Sequence, residues 1–139
     1  MRELLADVNL QGHFRYMCQR LDALDLSAVL TSLNLEVATF GDLGLPRDLD
    51  DRALWGYCQR QGWVLFTENR NRDGPDSLEA TLADSWRSGH LPVLTLANKG
   101  RFEHSREYAD RVATDVAELM FDLAEMGYVA PPRIYVPRQ

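Results

Sequence analysis

The sequence has little cysteine, no long apolar run and no excess of positive charge. Its 139 residues carry 15 lysines and arginines against 21 aspartates and glutamates, a formal net charge of −6. This balance argues against a broad basic face for nucleic acid, because such binding draws on many phosphate contacts. No stretch approaches the roughly 18 consecutive apolar residues of a membrane span. An acidic residue at Glu3 comes too early for a signal peptide, so we expect a cytoplasmic protein without a membrane partner.

The motifs of several enzyme classes are also missing. The two cysteines, Cys18 and Cys58, lack the spacing of zinc sites and redox pairs, which predicts buried free thiols. The three histidines are scattered and show no metal-ligand spacing. There is no Gly-x-Ser-x-Gly elbow, and Gly41 and Gly44 have neither the spacing nor the directly following helix of a phosphate-binding loop. Serine-nucleophile, zinc and nucleotide-loop chemistries are therefore not expected.

Apolar strand-like runs alternate with helical patterns along almost the whole chain. Strands are expected at 4–6, 35–40, 63–67 and 92–96, with a last, edge strand at 134–136. Helical patterns are expected at about 10–21, 27–33, 51–61, 77–86 and 105–126. This alternation predicts an α/β fold, in which helices cover both faces of a mostly parallel sheet as a three-layer α/β/α sandwich. The length is that of a single domain over residues 1–139.

Polar side chains follow three of the predicted strands. Asp7 comes directly after the first strand, six polar residues at 68–73 follow the third, and Asn98 and Lys99 follow the fourth. Parallel sheets place their sites outside the carboxyl ends of the strands, where the strand order reverses. Asp51 adds an acid at the start of a helix. Oxygen ligands of this kind suit Mg²⁺ or Mn²⁺, which can activate water and stabilise a phosphoryl transition state.

Three short stretches resemble small PIN-like proteins, which are relatives of the PIN-domain nucleases and include toxins of bacterial toxin–antitoxin pairs. They are LLADVNL at 4–10, DLGL at 42–45 before an acid-opened helix, and VLFT at 64–67 before the polar cluster, and the resemblance covers roughly residues 3–100. It implies a PIN-like α/β/α sandwich with an acidic, Mg²⁺- or Mn²⁺-dependent ribonuclease site. It also implies RNA as substrate and, for a toxin, a small antitoxin-like protein as partner; a homodimer stays open.

The resemblance assigns roles to residues that the strand ends already single out. Asp7 matches an aspartate at the end of the family's first strand, and Asp51 matches an acid that opens its middle helix. After the third strand the family tends to read Thr-x-Asp-x-Asp, whereas this chain has asparagine at both aspartate positions. The predicted catalytic residues are Asp7, Asp51, Glu68 and Asp73; the predicted metal ligands are Asp7, Asp51, Asn69 and Asn71; the predicted substrate-binding residues are Arg70 and Arg72. Asparagine keeps an oxygen ligand but loses the charge, so a weakened divalent-ion site is expected.

Each of these residues also has an ordinary structural explanation. Acids at helix starts satisfy free backbone amides, and a polar run after a strand forms a turn. Arg70 and Arg72 either grip phosphates or neutralise neighbouring acids. Two function classes follow: a metal-dependent endoribonuclease, and a PIN-like module that has lost catalysis and works by binding or regulation. A third class is an unrelated doubly wound regulatory domain such as a phospho-receiver. It needs a clustered acid pair, a mid-sheet aspartate and a later lysine, and only Asp7 and Lys99 fit it loosely.

Overall fold

The computed structural model describes residues 3–70 and 73–138 of the chain. Five parallel strands form one sheet in the order β2-β1-β3-β4-β5. The strands are β1 (Glu3–Ala6), β2 (Glu36–Ala38), β3 (Trp63–Thr67), β4 (Val93–Leu96) and β5 (Arg133–Val136). In the register of the central strands, Leu5 lies opposite Leu65 and Leu65 opposite Val93. The predicted α/β class and parallel sheet are confirmed.

Within the described residues, seven α-helices connect the strands. They are α1 (Gln11–Ala23), α2 (Ser27–Ser32), α3 (Phe40–Leu43), α4 (Asp51–Gln61), α5 (Leu78–Ser85), α6 (Lys99–His104) and α7 (Arg106–Glu125), and a 3₁₀ turn, Val8–Leu10, precedes α1. The sequence patterns anticipate all of them except α3 and α6, which are too short to show a helical period. Local capping explains α3: Thr39 and Asp42 form a reciprocal capping box, and Gly44 ends the helix at a φ of 66°.

Two apolar cores lie on opposite faces of the sheet and make the fold a three-layer sandwich. Alternate β3 residues separate them, because neighbouring side chains of a strand point to opposite faces. Val64 and Phe66 join the core beneath α1, α2 and α7, whereas Trp63 and Leu65 join the core beneath α3, α4 and α5. All five residues of β3 are buried, as expected for a central strand covered on both faces.

Local rules fix the ends of α4, the helix that brings Asp51 to the sheet. The Asp50 carboxylate accepts a hydrogen bond from the Ala53 backbone amide at 2.7 Å and so caps the first turn. The helix ends at Gly62, whose φ of 81° is the left-handed conformation that glycine adopts without strain. Asp51 is therefore the first helical residue, placed directly behind the cap.

The predictions on thiols and membrane spans can be compared with the structure. Both cysteines are free; Cys58 is buried, and Cys18 is only partly so. Burial raises the pKa of the Cys58 thiol to about 12, so it stays protonated at neutral pH. Within residues 3–70 and 73–138, no helix combines the length and apolar character needed to cross a membrane.

Candidate functional site

The strand order reverses between β1 and β3. From β1 the chain moves outward to β2 on one side, then crosses to β3 on the other side of β1. A crevice forms at the carboxyl ends of the two strands at such a point, because the connections leave in opposite directions. Asp7 directly follows β1, and Glu68 and Asn69 directly follow β3. The topology thus places the predicted site residues of both strands at one crevice.

A cavity of about 370 Å³ occupies this crevice. Its lining includes four predicted site residues, Asp7, Asp51, Glu68 and Asn69. Asp51 reaches the cavity from the first turn of α4, so three separate segments of the chain meet there. Arg47, from the loop between α3 and α4, also lines the cavity and was not anticipated. Asp7, Asp51, Glu68 and Asn69 thus line one cavity.

Asp7 is a partly buried acid of the cavity. Its Oδ2 accepts a hydrogen bond from the Thr67 hydroxyl at 2.6 Å, and Thr67 itself is fully buried. Burial raises the pKa of the Asp7 carboxyl, the Thr67 hydrogen bond opposes the rise, and the negative charge of Asp51 adds to it. The two carboxylates therefore lie near enough to repel each other.

The Asp51 carboxylate joins two parts of the fold. Its Oδ2 accepts hydrogen bonds from the Asn69 side-chain amide at 2.9 Å and from the Leu78 backbone amide at 3.0 Å. Leu78 is the first residue of α5, so Asp51 satisfies one of that helix's free amides in addition to opening α4. Both donors use Oδ2. Among the described residues, no hydrogen bond is formed to Oδ1 of Asp51, which leaves that oxygen for a ligand.

Glu68 lines the cavity but has a cationic neighbour. Its Oε1 is 3.1 Å from the Lys99 ammonium, and both side chains are more than one-third exposed. Lys99 begins α6 directly after the carboxyl end of β4, so this ion pair joins the ends of two neighbouring strands. The Lys99 ammonium thereby neutralises Glu68, the third acid of the cavity lining.

Two predicted site residues that the structure describes lie away from the cavity lining. The Arg70 guanidinium donates to the Ala97 carbonyl at 2.5 Å and lies 5.1 Å from the centre of the Tyr135 ring. It thereby contacts the ends of β4 and β5. Asp73 is exposed and is not part of the cavity wall. Asn71 and Arg72 fall outside the described residues.

Two buried side chains that the sequence did not single out hold the segment after β3. Thr67 accepts a hydrogen bond from the Asn69 backbone amide at 3.0 Å while it donates to Asp7. Arg133, whose side chain is 8% exposed, donates to the Asn69 carbonyl at 2.8 Å and to the Thr95 hydroxyl at 2.6 Å, and it pairs with Glu79. Both sides of the Asn69 backbone are therefore fixed.

The donor set suits a weakly held hard cation. Mg²⁺ typically takes one or two protein carboxylates and keeps several waters, and Asp7 and Asp51 supply two carboxylates to the same cavity. Asn69 would add an amide oxygen after its side chain turned away from Asp51, at the cost of the hydrogen bond between them. No group of three or more histidine, cysteine or acidic side chains in the described part of the chain is arranged to hold a metal ion.

Comparison with protein-family models, with curated proteins and with solved structures gives no significant match.

Proposed function

We propose that this chain is a PIN-like endoribonuclease that depends on Mg²⁺ or Mn²⁺ and holds the cation weakly. The observation that supports it is the meeting of Asp7 and Asp51 at one polar cavity, at the reversal of strand order. Burial and, to a smaller extent, the charge of Asp51 raise the pKa of Asp7, so two charged carboxylates in this cavity are electrostatically unfavourable. A divalent cation held by Asp7 and Asp51 would offset this repulsion, because it would attract both charges.

The four predicted site residues of the cavity then each have a role. Asp7 and Asp51 would hold the cation, and the Thr67 hydroxyl fixes the orientation of Asp7. Glu68, which also lines the cavity, would accept the proton of the attacking water as the P–O bond to the leaving ribose oxygen breaks. The bound cation supplies the activation of that water and the stabilisation of charge on the phosphate. Asn69 keeps the number of charged ligands at two, and we therefore expect a low affinity for the cation and slow cleavage.

A binding or regulatory module without catalysis is the second candidate. The hydrogen bond from Asn69 to Asp51 and the ion pair of Glu68 with Lys99 favour it, since both satisfy acids of the cavity without a cation. A phospho-receiver is not favoured: β3 is followed by Glu68 and Asn69, and no aspartate stands at that strand end.

The test combines cation binding with RNA cleavage. Mg²⁺ and Mn²⁺ are titrated by calorimetry into the native protein and Asp7→Asn, and the same proteins are incubated with unstructured RNA. We expect weak cation binding and slow cleavage by the native protein, and the loss of both in Asp7→Asn. Glu125→Gln is the matched control, because it removes an exposed carboxylate at the end of α7, away from the cavity.

A second experiment replaces the two asparagines by the aspartates of the family pattern. Asn69→Asp combined with Asn71→Asp should tighten the cation and raise the cleavage rate, because affinity for a divalent ion depends on the charge of its ligands. Cleavage that persists in Asp7→Asn would place the active site elsewhere. RNA binding by the native protein, with neither cation binding nor cleavage in any variant, would support the second candidate.

A further inference from the structure

Arg47 stands out in a cavity whose other charges are negative. Asp7, Asp51 and Glu68 all line the cavity, and an RNA backbone that approaches them meets like charge. A phosphate group can enter such a site only where cations offset the carboxylates. Arg47 is the arginine of the cavity lining, and its side chain is exposed.

Three other cations at this edge, in the part of the chain that the structure describes, are already engaged. Lys99 pairs with Glu68, Arg70 donates to the Ala97 carbonyl, and Arg133 pairs with Glu79. By contrast, within residues 3–70 and 73–138 no ion pair or hydrogen bond is formed by the Arg47 guanidinium. Its five N–H donors are thus available to a ligand.

The loop that carries Arg47 is anchored on both sides. Gly44 ends α3 in the left-handed conformation, and Asp50 caps α4. Between them, Leu45 and Leu49 pack against the core of the α4 face, and the Leu49 amide donates to the Pro46 carbonyl at 3.3 Å. Arg47 therefore sits at the tip of a short turn with a fixed backbone, so little backbone order is lost when its side chain binds a ligand.

We propose that Arg47 is a substrate-positioning residue that binds a backbone phosphate of single-stranded RNA at the mouth of the cavity. This inference rests on the proposed function and replaces the predicted role of Arg70, whose guanidinium lies against β4 and β5. A guanidinium suits the task, because its planar fork donates two parallel hydrogen bonds to phosphate oxygens. The contact holds the RNA strand while its neighbouring phosphate lies over Asp7 and Asp51.

The test measures RNA affinity apart from cleavage. Binding of a fluorescent oligouridine is followed by anisotropy over a range of salt concentrations, in EDTA and again with Mg²⁺. Arg47→Gln should weaken binding about tenfold, the scale of one hydrogen bond to a charged group. It should also lower the slope of log affinity against log salt by about 0.7, the value for one phosphate contact with a single strand. Arg47→Lys should keep the slope and recover part of the affinity.

Arg60→Gln is the matched control. Arg60 is an exposed arginine in the last turn of α4, at the opposite end of that helix from Asp51, and its replacement changes the net charge equally. We expect its RNA affinity to stay within about twofold of native. An equal loss in Arg60→Gln, or no loss in Arg47→Gln, overturns the role of Arg47.

The calorimetric titration separates this outcome from a failure of the proposed function. A native protein that binds the cation and RNA, with an unchanged Arg47→Gln variant, overturns the phosphate contact alone. A native protein that binds neither cation nor RNA overturns both proposals.

Discussion

The substitution Asn69→Asp tests whether the cavity is a weakened cation site. In the native protein the Asn69 amide donates to Oδ2 of Asp51 at 2.9 Å. The aspartate removes this donor and places a third carboxylate beside Asp51 and Asp7. Without a divalent ion, the variant should therefore be less stable than the native protein and more sensitive to cations.

The expected loss of unfolding free energy in Asn69→Asp has two sources, the lost hydrogen bond and the added charge. A hydrogen bond to a charged group contributes about 1.5–3 kcal/mol, and the lower end applies because both side chains are partly exposed. Repulsion between two carboxylates at a solvent-facing site adds to this and stays below the roughly 4 kcal/mol of two unit charges 4 Å apart in a medium of intermediate dielectric. We expect a loss of about 2–4 kcal/mol, or about 5–12 °C in Tm for a chain of this length.

Thermal unfolding in EDTA and in a series of Mg²⁺ concentrations measures both effects. Bound cation stabilises the folded state by about 2.7 kcal/mol when its free concentration is 100 times the Kd, so Mg²⁺ should restore most of the loss in Asn69→Asp. Asn69→Ala is the control, because it removes the amide donor without adding charge. It should lose about 1–2 kcal/mol and gain no extra response to Mg²⁺.

Two results would refute this reasoning. One is an Asn69→Asp variant that is as stable as the native protein in EDTA. The other is an equal response of the aspartate and alanine variants to Mg²⁺. Either result would mean that position 69 is not electrostatically coupled to Asp51 and the cation.

Two further substitutions probe the surroundings of the cavity. Burial raises the pKa of Asp7, so its charge costs stability at neutral pH and protonation removes that cost. Urea unfolding should therefore show the native protein gaining stability relative to Asp7→Asn as the pH falls. The gain should occur between the raised pKa of the folded state and the ordinary value near 3.9. A difference that stays constant with pH would contradict this. Arg133→Met should lower the free energy of unfolding by about 2–4 kcal/mol, because a buried charge with three hydrogen-bonding partners is lost. Arg138→Met, the control, should lower it by under about 1 kcal/mol, because Arg138 is 39% exposed. Equal losses in urea unfolding would show that Arg133 does not hold the segment after β3.

Elements with strong local signals were predictable from the sequence. The apolar run of β3 was placed at the observed residues, Trp63–Thr67, because a strand covered on both faces needs apolar side chains without interruption. The bounds of α4 followed from an acid at its start and Gly62 at its end. The short helices α3 and α6 were not predicted, because four to six residues carry too little periodicity to be distinguished from a turn.

The candidate site was only partly predictable. Asp7 and the residues after β3 could be placed at one sheet edge because parallel strands share the direction of their carboxyl ends. The directions in which the arginine side chains point could not be predicted from the sequence. Arg70 contacts Ala97 and Tyr135 instead of the cavity, and Arg47 enters the cavity from a loop without any motif.

The sequence by itself determined the alternation of strands and helices, the ends of the longer elements, and the set of acids at strand ends and helix starts. These properties depend on periodicity, capping and burial, which act between residues close in the chain. Tertiary structure alone decided the strand order, the pairing of Asp51 with Asn69, and the burial of Arg133 against Glu79. Those contacts join segments distant in the chain, and they form only when the helices pack on the sheet and desolvate the charges between them.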